Sequence, residues 1–136
     1  MNKSNVIVFF PILILLKVLH IDDSPEICEL YSDMFTADKS TIQSVNTGKE
    51  GLSLVLNNDY DLILLDMCMP QYSWMDFLRD LTIQKPSELK KVVVVSVLKF
   101  SPTQIQELLK FGIHSVEEKP TDLQKLEIIK KNMWLR

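Results

Sequence analysis

Short aliphatic runs recur along this chain, and each ends in a chemically active side chain. Lys17-Val18-Leu19-His20-Ile21 runs into Asp22-Asp23, Leu62-Ile63-Leu64-Leu65 into Asp66, and Val92-Val93-Val94-Val95 into Ser96. A fourth short segment, Ser115-Val116-Glu117-Glu118, runs into Lys119-Pro120. Near-continuous aliphatic strands fit a parallel sheet buried on both faces. Ligand sites in open α/β sheets lie at the carboxyl ends of the strands. Three acids, a hydroxyl and an ammonium gathered at one such edge make a site for a divalent cation and a phosphoryl group.

Helical segments alternate with these strands, and most open on a recognisable cap. Ser24-Pro25-Glu26 combines an N-cap, a first-turn proline and an acid favoured by the helix dipole. The helix it opens is expected to run to about Phe35 with Ile27, Leu30, Tyr31 and Met34 on one face. Thr41 to Val45 reads as a second strand, and Thr47-Gly48-Lys49-Glu50 as a capping box for a helix carrying Leu52, Val55 and Leu56. After the strand Asp61 to Asp66, a helix is expected over Ser73 to Ile83, with Pro86 in the following loop. Lys91 to Ser96 reads as the fourth strand. Ser101-Pro102-Thr103-Gln104 caps a helix with the stripe Ile105, Leu108, Leu109, and Gly112 stops it. Ser115 to Glu117 is a short fifth strand. Thr121-Asp122-Leu123-Gln124 caps the last helix, with Leu123, Leu126, Ile129 and Met133 inward.

This (βα)5 alternation predicts an α/β fold with a doubly wound five-stranded parallel sheet and helices on both faces. Right-handed crossovers and short loops leave few other topologies. A chain of 136 residues is one domain of ordinary size, and 46% hydrophobic with 24% charged residues suffices for a core and a polar surface. A net charge of −3 without a basic run argues against direct nucleic-acid binding. Cys28 and Cys68 lack metal-type spacing and read as reduced thiols, so a cytoplasmic location is expected. His20 and His114 are expected to be structural or surface residues.

Taken together, Asp22-Asp23, Asp66-x-x-Met69-Pro70, Ser96 and Lys119-Pro120 resemble the receiver domain of two-component response regulators, in order, spacing and strand-end position. The resemblance covers residues 17–136 and implies the flavodoxin-like receiver fold. It implies that Asp66 is the phosphoacceptor, that Ser96 hydrogen-bonds the phosphoryl group and that Lys119 pairs with it. Mg²⁺ would be held by Asp23 and Asp66, by Asp22 through water, and by the Cys68 carbonyl. The Lys119-Pro120 peptide would be cis. A sensor histidine kinase or phosphotransfer protein would supply the phosphoryl group, and a downstream protein target would read it, with a homodimer left open. The protein would then be no enzyme in the ordinary sense, although autophosphorylation from small donors and autodephosphorylation are compatible with it. The chemistry stands without the family. A carboxylate attacking phosphorus needs both negative charges neutralised, and a hard cation with a lysine does this. Three carboxylates about 5 Å apart repel by about 3 kcal/mol per pair at an effective dielectric near 20, so the metal-free site should be strained.

The sequence departs from that family in four places. Val116 stands where an aromatic that swings inward on activation is usual. Val97 is bulkier than the usual Ala or Gly, and Trp74 stands where Gly is usual, which predicts a different turn with Trp74 partly exposed. Residues 1–16 form an apolar extension ahead of the domain. Its run from Val6 to Leu16 is shorter than the roughly 20 apolar residues a bilayer span needs, and no Ala-x-Ala site follows it. Ending after its fifth helix, the chain is expected to be a stand-alone receiver. Two other readings compete. One is a degenerate receiver acting as a constitutive protein-binding module, which Val97, Trp74 and Val116 favour. The other is a haloacid-dehalogenase-type phosphatase, which needs an Asp-x-Asp nucleophile motif, whereas Asp66 is followed two places on by Cys68.

Overall fold

The computed structural model describes residues 16–36, 40–66, 72–96, 99–118, 128–129 and 131–132. Within them the expected alternation is present: β1 (Lys17–Ile21), α1 (Pro25–Thr36), β2 (Thr41–Val45), α2 (Gly48–Asn57), β3 (Leu62–Asp66), α3 (Trp74–Gln84), β4 (Val92–Ser96), α4 (Pro102–Leu109) and β5 (Ser115–Glu118). The sheet is all parallel, in the order β2-β1-β3-β4-β5. The chain runs outward from β1 to β2 and then crosses back to β3. The order therefore reverses between β1 and β3, which is where a crevice opens at the carboxyl edge.

Strand alternation sorts the core into two layers. Leu19 and Ile21 of β1, Ile63 and Leu65 of β3 and Val92 and Val94 of β4 pack with Val55 of α2, Phe77, Leu78 and Leu81 of α3 and Leu108 of α4. Val18, Leu62, Leu64, Val93 and Val95 face the other way, onto Tyr31 and Phe35 of α1 and onto Ile129. Helices thus cover both faces, and β1, β3 and β4 are buried almost throughout.

Local chemistry sets the boundaries. Ser73 accepts from the Asp76 amide while Asp76 accepts from the Ser73 amide, and Ser101 and Gln104 repeat this reciprocal box at α4. Thr47 accepts from the Glu50 amide at 3.2 Å at the start of α2. Gly112 closes the α4 end at φ +91°, a conformation a side chain would strain.

The structure differs from the expected elements in small, explicable ways. Asp61 lies outside β3 because its carboxylate and amide bond the amide and carbonyl of Lys17, both at 2.8 Å. Lys91 belongs to a 3₁₀ turn, Pro86–Lys91, rather than to β4. Its ammonium is held at 2.9 Å by Glu88, which is buried. Leu30 is 43% exposed, because the buried stripe of α1 centres on Tyr31 and Phe35 and Leu30 is turned about 100° from Tyr31. Leu109 is likewise exposed while Leu108 is buried. No helix among the described residues is long and apolar enough to cross a membrane. The apolar extension up to residue 15 and the cap expected at Thr121 lie outside the described residues.

Candidate functional site

At the carboxyl edge, register brings the expected acids together. Ile21 of β1 pairs with Leu65 of β3, so the next residues, Asp22 and Asp66, stand level on adjacent strands. Asp66 pairs in turn with Val95, which places Ser96 one residue further along β4. Glu118, the last residue of β5, pairs with Ser96. Asp22, Asp66 and Ser96 are buried, and Asp23 is exposed at the mouth.

One carboxylate oxygen from each of Asp22, Asp23 and Asp66 lies within 4.8 Å of the others. Like charges this close repel by about 3 kcal/mol per pair at an effective dielectric near 20, with the exposed Asp23 the best screened. Hard carboxylate oxygens are the donor set Mg²⁺ takes, and their spread suits a cation that keeps part of its water shell. The residues therefore fit the metal that the resemblance implies. Cys68, Val97, Lys119 and the Lys119-Pro120 peptide lie outside the described residues.

Asp22 is held at both carboxylate oxygens. Its Oδ1 accepts from the Ser24 amide at 2.9 Å, and its Oδ2 lies 3.4 Å from His20 Nε2. Its amide donates to Val45 O at 3.0 Å, and its carbonyl accepts from Asn46 Nδ2 at 3.1 Å and from the Cys28 thiol at 3.5 Å. The acid is thus fixed by α1, by β1 and by the end of β2. His20, Asn46 and Cys28 were not expected at the site. A signal for His20 was present, since it lies two residues before Asp22 and strand side chains repeat every second residue. Asn46 carries no such signal, because β2 and β1 are brought together only by the sheet.

Tyr72 precedes α3 and Trp74 is its first residue. Trp74 opens α3 in helical conformation, half-buried against the core, so the departure from Gly is absorbed without a left-handed turn. Tyr72 packs over Gly48 and hydrogen-bonds the Asp80 carboxylate. Burial, then that bond, pushes its hydroxyl well above the ordinary tyrosine range. Val116 is half-buried in β5 beside Val94, packed against the core. His114 is half-buried with Nδ1 2.9 Å from Ser115 Oγ, a structural placement.

Comparison with known proteins agrees with this geometry. The model of the response regulator receiver domain matches residues 18–130. The two-component response regulator ORR3 of Oryza sativa subsp. indica is 30% identical over 105 residues, covering 76% of this chain and 79% of that protein. The probable C4-dicarboxylate response regulator DctR of Bacillus subtilis is 31% identical over 112 residues, covering 81% of this chain and 48% of its own. The receiver domain of Francisella response regulator 1452 superposes with a TM-score of 0.79 at 29% identity, covering 89% of this chain and 98% of that one. The Vibrio cholerae chemotaxis protein CheY4, at 22% identity and a TM-score of 0.77, covers 88% of this chain and 98% of its own, and shares the fold. With its sheet order, its strand-end acids and these matches in agreement, the chain belongs to the response regulator receiver domains of two-component systems.

Proposed function

We propose that this protein is a phosphorylation-switched signalling protein whose phosphoacceptor is Asp66. The supporting observation is the convergence of Asp22, Asp23 and Asp66 within 4.8 Å, with Ser96 at the adjacent strand end. A carboxylate oxygen of Asp66 attacks phosphorus in a phosphohistidine of a sensor kinase or phosphotransfer protein. The new O–P bond forms as the P–N bond breaks, and the departing imidazole keeps the electron pair and takes up a proton. Asp23 and Asp66, with Asp22 through water and the Cys68 carbonyl, would hold Mg²⁺, which would supply charge neutralisation at the reacting oxygens. The Ser96 hydroxyl and Lys119 hold the transferred group. Hydrolysis of the acyl phosphate resets the switch, so the protein is a phosphoacceptor rather than an enzyme acting on a separate substrate. A downstream protein in the cytoplasm reads the phosphorylated state by contact, without direct binding to nucleic acid.

Incubation with acetyl phosphate and Mg²⁺, read by intact mass, tests this. Wild type should gain one phosphoryl group and Asp66→Asn none. Equal labelling of the mutant would remove Asp66 from the role. Val116, packed where it has no aromatic ring to swing, favours a second reading as a constitutive binding module. A wild-type protein that takes up no phosphoryl group but still binds its partner would support that reading instead.

A further inference from the structure

His20 is a polar ring in an apolar layer. Its neighbours on that face of the sheet are Val18, Leu62, Leu64, Val93 and Val95, and the ring itself is buried. Burying an imidazole among such groups costs stability unless its nitrogens are satisfied. Both are engaged: Nδ1 lies 3.3 Å from Ser44 Oγ on β2, and Nε2 lies 3.4 Å from Asp22 Oδ2. The ring is braced against Tyr31 of α1, with centroids 4.6 Å apart. A valine or leucine at this position would complete the layer without any partner.

We infer that His20 is a positioning residue for Asp22, fixing the carboxylate that helps to hold the cation; this rests on the metal-dependent reading above. Nδ1 is taken up by Ser44 Oγ, so Nε2 is the ring nitrogen that faces Asp22 Oδ2. The Ser24 amide holds Oδ1 at 2.9 Å, and His20 Nε2 stands against the other oxygen, Oδ2, at 3.4 Å. Groups that orient a metal's ligands without touching the metal set its affinity in this way. Ser44 is exposed on the sheet-edge strand, so the chain Ser44–His20–Asp22 carries the orientation inward from the surface.

The test is Mg²⁺ titration by calorimetry on wild type, His20→Leu and His20→Gln, with thermal melting in chelator as the control for folding. His20→Leu keeps volume and apolarity but removes the nitrogen that faces Asp22. It should weaken Mg²⁺ binding about tenfold, the low end for outer partners of metal ligands because the contact is long. His20→Gln places an amide nitrogen near the position of Nε2 and should restore affinity to within about threefold of wild type. A purely structural histidine predicts the reverse ranking, because leucine suits the apolar layer better than glutamine. If His20→Leu fails to fold in chelator, the exposed Ser44→Ala decides: weaker Mg²⁺ binding supports the inference, and unchanged binding overturns it. His20→Leu binding Mg²⁺ as tightly as wild type overturns this inference alone. A wild type that binds no Mg²⁺ overturns it together with the phosphoacceptor reading.

Discussion

A single carboxylate decides much of the behaviour of this site, and Asp23 is the one whose replacement is most informative. It is exposed while Asp22 and Asp66 are buried, so it can be changed without opening the core. Asp23→Asn removes one like charge from the cluster. Solvent screening limits the gain, so metal-free stability should rise by only about 1 kcal/mol. The same change should abolish most of the stabilisation by Mg²⁺, which for the wild type is about 2.7 kcal/mol at a hundred times Kd. Urea unfolding with and without chelator measures both, and a mutant less stable than wild type in chelator would contradict the clustering. That Asp22, Asp66 and Ser96 would share one sheet edge was legible in the sequence because each directly ends an aliphatic run, and Asp23 follows Asp22. The ring of contacts around Asp22 was only partly so. Asn46, just past β2, reaches the Asp22 carbonyl, and Ser44 of β2 reaches only His20; no local pattern announces which residues of one strand will face another.

The elements owe their boundaries to capping chemistry, and two of them carry testable consequences. Asp76 accepts from the Ser73 amide and hydroxyl, and these bonds hold its carboxyl below the usual aspartate range. A lowered folded-state value stabilises above the unfolded pKa of about 3.9 and is lost as pH falls through the folded value. Asp76→Asn should therefore flatten the stability profile below about pH 4, read as urea midpoint against pH. Tyr72 has the opposite sign. Its raised hydroxyl pKa stabilises below the unfolded value of about 10, and this is lost as pH rises further. Tyr72→Phe should make the protein less alkali-labile. On α2, Gly51 lies against β1, and a Cβ there would collide with Ile21 Cδ1 and Cγ1. Gly51→Ala should destabilise by about 1–3 kcal/mol despite alanine's better helix propensity, because Ile21 is fully buried and cannot yield. Most helix starts were readable from Ser, Thr and Pro. The 3₁₀ turn at Pro86 was not, because it depends on Glu88 being buried between Lys85 and Lys91, a tertiary circumstance. Leu30 was misplaced because helical period alone does not fix where a stripe is centred.

At the scale of the whole molecule, the alternation of strands and helices made the fold class legible, and right-handed crossovers narrowed the topologies; the order β2-β1-β3-β4-β5 came from the structure. Leu16 is already buried, with its amide on the Ser40 hydroxyl at 3.1 Å. Deleting residues 2–15 should therefore leave the fold and Asp66 phosphorylation intact and reduce self-association, measured by light scattering. The central pairing of β1 with β3 has a further consequence, for folding speed. These strands are separated in sequence by two helices and a strand, yet their pairing alone brings Asp22 level with Asp66. The chain must bring the like charges together at the step that closes its largest central loop. Mg²⁺ can therefore act as a clock for that step. If the β1–β3 pairing is present at the folding barrier, Mg²⁺ should quicken refolding; if it forms afterwards, Mg²⁺ should leave refolding unchanged and slow only unfolding.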